Sequence, residues 1–132
     1  MADVYENIME FPGQFETILG ERGVTLSGGQ KQRVSIARAL AKNPSMLILD
    51  DCLSAVDTHT EHKILNNLKK IMVGKTSLII SHRVSSAKLA NRIMVLQDGQ
   101  IVETGNHAQL MKRKGYYYEL YQNQLNEEEN GL

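Results

Sequence analysis

The sequence predicts an α/β fold on parallel strands, and three observations predict it. Ser45–Asp51 and Thr76–Ile80 are short apolar runs of the kind that strands buried on both faces of a parallel sheet carry. A stretch with helical periodicity, Thr58–Met72, lies between them. Both runs end in polar groups, Asp50-Asp51 and Ser81-His82-Arg83, at the carboxyl ends where α/β folds place ligands.

Taken in order, Asp3 to Glu10 reads as a short helix with Val4, Ile8 and Met9 on its apolar side. Phe11-Pro12-Gly13 breaks it. Phe15 to Val24 is a linker whose Gly20-Glu21-Arg22-Gly23 marks turns. A longer helix follows. Ser27 is its N-cap, and Gln30, three residues on, completes a capping box. Val34, Ala37, Leu40 and Ala41 recur at helical spacing, and Asn43-Pro44 ends the run.

Gly28 and Gly29 remove side chains at the mouth of this helix, where backbone N–H groups can come close to a ligand. The first N–H groups of a helix have no internal partner, and the dipole is positive there. A phosphate fits such a place. Gly-Gly before a helix is also a common flexible lead-in, so the two glycines alone do not decide. What adds to them is the whole string Leu26-Ser27-Gly28-Gly29-Gln30, followed by a strand ending in two aspartates, because it carries a family resemblance.

Leu26–Gln30 matches letter for letter the signature motif of the ATP-binding cassette (ABC) ATPases. The chain resembles that family from about Val4 to Leu120. The resemblance implies a partial P-loop NTPase (RecA-like) core with parallel strands, a C-terminal β-hairpin and flanking helices. It implies three parts: residues 1–26 as the end of the helical subdomain and linker, 27–125 as the C-terminal part of the ATPase core, and 126–132 as a frayed tail.

The same resemblance assigns roles. Ser27, Gly28, Gly29 and Gln30 would contact the γ-phosphate of an ATP held by a second cassette. Ser45–Asp51 is similar to a Walker B strand, with Asp50 holding Mg²⁺ through water, since Mg²⁺ takes few carboxylates. Asp51 stands where the family commonly has glutamate, the group that orients the attacking water. Aspartate withdraws the carboxylate by roughly 1 Å, a misplacement that can cost about a hundredfold in rate. An intact signature with this substitution resembles the weak-site half of an exporter with two unlike halves; a slow but working site is the other reading. Ser54, Ala55, Val56 and Asp57 resemble the D-loop at the dimer interface, and His82 resembles the switch histidine on the γ-phosphate.

Thr58 is expected to cap the next helix with Glu61 in a second capping box. Ile64, Leu65, Leu68, Ile71 and Met72 form its buried stripe, and Gly74 ends it. His59 and His62 on this helix lack a second ligand pair, so no metal site is expected. Arg83 to Ala90 is a short helix. Arg92–Leu96 and Gln100–Glu103 read as strands of a hairpin, since Asp98-Gly99 is a two-residue turn signal. Asn106 opens another helix, with His107 near its start and Leu110 and Met111 inside, and Gly115 breaks it. Tyr116-Tyr117-Tyr118 and Tyr121 then pack a last helix on the sheet.

No stretch matches the phosphate-binding loop G-x-x-x-x-G-K-[ST]. Gly74-Lys75-Thr76 has the last letters, but position 69 is Lys. The chain therefore reads as the carboxyl-terminal part of a nucleotide-binding domain, with the phosphate-loop strand missing. Neighbouring strands would then show open edges and apolar faces, favouring poor solubility or dimerisation.

The 132 residues suffice for one modest core. Fifteen basic and fifteen acidic side chains give no basic excess, so nucleic acid is not an expected partner. The single cysteine, Cys52, excludes an internal disulfide. No apolar run reaches the roughly 20 residues of a membrane helix, and no signal-peptide pattern opens the chain. Direct lipid contact is not expected. The resemblance implies ATP and Mg²⁺ as cofactors, a second nucleotide-binding domain and transporter membrane domains as partners, and a place on the cytoplasmic face of the cell membrane. Two other readings stand beside the exporter: a soluble ABC ATPase, and a non-catalytic module that binds intact cassettes.

Overall fold

The structure is a computed structural model that describes residues 3–11, 13–16, 19 and 26–131. The turns expected over Gly20–Gly23 lie outside the described residues. The chain forms two compact units, Met1–Ile80 and Ser81–Leu132.

The first unit runs α1 (Tyr5–Met9), a 3-10 turn at Gln14–Glu16, α2 (Gly28–Ala41), β1 (Met46–Asp50), α3 (Thr58–Ile71) and β2 (Thr76–Ile80). β1 and β2 pair in parallel, from Met46 opposite Thr76 to Asp50 opposite Ile80, with α3 as the crossover. Asn43, at φ 46°, turns the chain from α2 towards β1. Asparagine tolerates this left-handed conformation better than most residues, and Lys75 Nζ donates to its Oδ1 at 2.6 Å.

Two expectations are corrected here. The strands are not buried on both faces. Leu47 and Leu49 are buried, whereas Met46 and Ile48 are 59% and 57% exposed. On β2, Leu78 and Ile80 are also exposed. An apolar run reports what a strand can bury on two faces; a sheet of two strands covers only one here. The cap of α3 is Asp57 and not Thr58: the Asp57 side chain accepts from Thr60 N at 3.0 Å. The helix begins one residue earlier than expected, because aspartate is the better cap. Glu61 falls outside the capping-box position and is buried. The expected stripe of Ile64, Leu65, Leu68 and Met72 is buried, with Ile71 half-buried, and Gly74 follows the helix end at φ 75°. In α2 the buried residue is Ile36, which the expected spacing left out.

The second unit holds α4 (Val84–Ala87), β3 (Ile93–Gln97), β4 (Gln100–Gly105), α5 (His107–Arg113) and α6 (Tyr116–Asn130). β3 and β4 form the antiparallel hairpin. Asp98 and Gly99 both take positive φ, 51° and 75°, as the turn requires. A bulge after Val95 passes over Val102. Val84, Ile93, Val95, Leu110 and Tyr117 make a separate core, with Ala87, Met111 and Leu120 against it.

The starts of α5 and α6 are both tied by side chains. Asn106 and Gln109 form a capping box on α5, with bonds of 2.8 and 3.0 Å. The start of α6 has only Gly115, which has no side chain, so the Glu103 carboxylate on β4 accepts from Tyr117 N at 2.8 Å instead. A Cβ at Gly115 would collide with that carboxylate. His107 Nδ1 lies 2.8 Å from the Tyr117 hydroxyl. Burial pushes the Tyr117 phenol up to about 12. α6 runs as a helix through Asn130. Its glutamate and glutamine residues are good helix formers.

Candidate functional site: the start of α2 and the loop after β1

The start of α2 has the geometry its sequence requires. Gln30 N donates to Ser27 Oγ at 3.2 Å, and Ser27 N donates to Gln30 Oε1 at 3.0 Å. The capping box is complete. Ser27 Oγ accepts in this bond and keeps its own proton to donate. Ser27 is exposed, as a ligand-binding serine must be.

The glycines have a reason inside the fold as well. A Cβ on Gly29 would stand 2.9 Å from the Ala55 carbonyl oxygen, and one on Gly28 would stand 3.3 Å from Ala55 Cβ. The loop after β1 therefore lies against the start of α2, and only glycine at position 29 permits it. Ser27, Gly28 and Gly29 line one depression with Arg33, Ala55, Val56 and Asp57, of about 320 Å³. Residues expected at a phosphate contact and residues expected at an interface thus share one surface.

Arg33 Nη1 donates to the Asp3 carbonyl at 2.6 Å, while its buried Nε has no partner among the described residues. The Asp3 carboxylate pairs with Lys63 at 2.6 Å, which raises the Lys63 pKa. The hydrogen bond from Thr60 N holds the Asp57 carboxyl below the usual carboxylate range. Asp57 thus adds a carboxylate to the lining that Gly28 and Gly29 share.

Asp50 ends β1, exposed, and Asp51 follows in the left-handed region at φ 50°. The Asp51 backbone is held on both sides: its N donates to Ile80 O at 2.9 Å, and its carbonyl accepts from Ser54 Oγ at 3.2 Å. Aspartate is enriched in this backbone region, a local reason for aspartate here beyond any consequence for chemistry. His82 belongs to the second unit and is exposed. Its carbonyl accepts from Gln124 Nε2 at 2.6 Å, while Gln124 Oε1 accepts from Val84 N at 2.8 Å. Gln124 was not singled out in the sequence, because nothing local marks a contact across forty-two residues.

Residues 2–54 match the ABC transporter family model. Over 124 residues the chain is 50% identical to the multidrug resistance-like ATP-binding protein MdlA of Escherichia coli K12, covering 94% of this chain and 21% of that protein. It is 48% identical over 125 residues to an ATP-dependent lipid A-core flippase of Alkalilimnicola ehrlichii, covering 95% of this chain and 21% of the flippase. A solved bacterial Atm1-family ABC exporter with ATP bound superposes with a TM-score of 0.87 at 41% identity, over 94% of this chain and 22% of the exporter chain. The chain belongs to the ABC transporter family. It spans about a fifth of the length of these relatives and corresponds to part of an exporter's ATP-binding domain.

Within an ABC domain, this surface fits the chemistry of a nucleotide triphosphate at one end. The helix start offers N–H groups, a hydroxyl proton and the positive end of the α2 dipole. Asp50 suits a cation that takes one carboxylate and keeps its waters. No group of three or more His, Cys, Asp or Glu side chains placed to hold a metal ion occurs among the described residues. No described helix is long and apolar enough to cross a membrane.

Proposed function

We propose that this chain supplies the signature-bearing face of an ABC exporter's ATP-binding domain, and that this face closes on ATP held by a second such domain. The observation that carries the reading is the shared depression of Ser27, Gly28 and Gly29 with Ala55, Val56 and Asp57. Ser27 and the Gly28 and Gly29 N–H groups donate to the partner nucleotide's γ-phosphate, and Gln30 keeps the helix start in shape. Ser54–Asp57 meet the partner domain. Asp50 would hold Mg²⁺ for the chain's own nucleotide, where the ion neutralises charge on the phosphates. Asp51 would orient water there, and His82 would donate to the γ-phosphate. With aspartate at position 51, this own site is the weaker of two unlike sites.

Phosphoryl transfer needs positioning and charge neutralisation, and the 132 residues contain no phosphate loop. Alone, the chain therefore releases no phosphate from ATP. In the whole transporter it works with membrane domains on the cytoplasmic face of the membrane. The test is capture by the intact ATP-binding domain of MdlA. The chain should bind in the presence of MgATP and not in its absence, and Ser27→Arg should abolish binding. Equal binding with and without ATP would contradict the reading. So would Mg²⁺-dependent turnover by the chain alone that His82→Ala removes.

A further inference from the structure

Gln32 sits one turn into α2, behind the signature string, and is half-buried. Its side-chain amide makes three bonds to the loop after β1. Oε1 accepts from Ala55 N at 2.9 Å, and Nε2 donates to Ser54 Oγ at 2.9 Å and to Asp51 O at 3.3 Å. Those three residues lie 19 to 23 positions away in sequence.

Only a primary amide of this length serves all three partners. It must accept at one atom and donate twice at the other. A glutamate of the same shape accepts but cannot donate. A lysine donates but cannot accept. The partners are the backbone and hydroxyl of the groups assigned above to the carboxylate position and the interface. The glycines at positions 28 and 29 let the loop come within reach, and Gln32 holds it there.

We propose that Gln32 is the positioning residue that locks the signature helix to the loop after β1. The helix start, Asp51 and Ser54–Asp57 then meet a shared nucleotide as one rigid face. The proposal rests on the function proposed above. Without the lock, the Gly28–Gly29 N–H groups and the Ala55–Asp57 backbone would reach the partner domain independently, and each would lose freedom only on binding. A pre-formed face avoids that cost.

The test uses the 132-residue chain and two variants, Gln32→Met and Gln32→Glu. It measures amide hydrogen exchange by NMR together with ATP-dependent capture by the intact MdlA ATP-binding domain. In Gln32→Met, Ala55 N–H should exchange about fivefold faster, the scale of one lost hydrogen bond, while β1 amides keep their rates. Capture should fall by about tenfold or more. In Gln32→Glu the acceptor survives, so Ala55 should stay protected, yet capture should still fall because both donors are gone. A merely structural glutamine would not separate the two readouts in this way. If Gln32→Met does not fold, Gln32→Glu decides alone. Unchanged Ala55 exchange in Gln32→Met, or full capture of Gln32→Glu, overturns the proposal. No ATP-dependent capture of the unsubstituted chain overturns the function and this role within it, and it does so before any substitution is compared.

Discussion

The two units of this chain use their hydrogen bonds differently. In Ser81–Leu132 the polar side chains close the fold: Glu103 caps α6, Asn106 and Gln109 cap α5, and Gln124 clasps the backbone at His82 and Val84. In Met1–Ile80 they shape a surface. Ser27, Gln32 and Asp57 hold a helix start and a loop open to solvent, while one face of the sheet stays uncovered. The lesson is that a small self-contained core and a recognition surface make different demands on the same residue types. One consumes donors and acceptors; the other, in the function proposed here, holds some of them out for a ligand.

The contrast can be broken most sharply in the second core. Leu110 is fully buried there, so Leu110→Ala should cost about 2–5 kcal/mol. Tyrosine fluorescence during urea unfolding reads it directly, since Tyr116, Tyr117, Tyr118 and Tyr121 all lie in this unit. A loss below 1 kcal/mol would mean that the unit has no cooperative core of its own. The next effect belongs to the recognition surface. Gly29→Val forces a branched side chain against the Ala55 carbonyl and should cost roughly 1–3 kcal/mol. It should also speed amide exchange in Ser54–Asp57, and unchanged exchange there would show that the loop does not rest on the glycine.

A smaller effect is pH-dependent. An ordinary tyrosine ionises near pH ~10, and Tyr117 is pushed up to about 12. Below pH ~10 the phenol is neutral whether folded or unfolded, and stability is unaffected. Between about 10 and 12 the unfolded chain gains by ionising while the folded one does not, so stability of the second unit should fall as pH rises through that window. Tyr117→Phe should flatten the fall. The smallest effect is expected on the bare sheet face: Met46→Gln should leave stability within about 0.5 kcal/mol, because Met46 is already exposed. A large loss would show that the face is covered after all.

Much of this was legible in the sequence because it is local. The Ser27–Gln30 capping box, the Asp98-Gly99 turn and the stripe of α3 depend on residues within a turn or two of one another. Where two capping residues stand side by side, as Asp57 and Thr58 do, the frame slipped by one. The strands were placed correctly, but their burial was not, since an apolar run states a capacity and the partner surface decides its use. The candidate site could be read as a string but not as a surface. That Gly29 faces Ala55, that Gln32 grips three loop residues, and that Asp51 takes a left-handed backbone all depend on contacts between distant positions.

The most direct test of the central claim is photoaffinity transfer. A γ-phosphate-linked photoreactive ATP is bound to the intact ATP-binding domain of MdlA, mixed with this chain and illuminated. The label should appear on this chain in the peptides that contain Ser27–Gln30 and Ala55–Asp57. Transfer confined to other segments, or no transfer at all while the two proteins associate, would contradict the account.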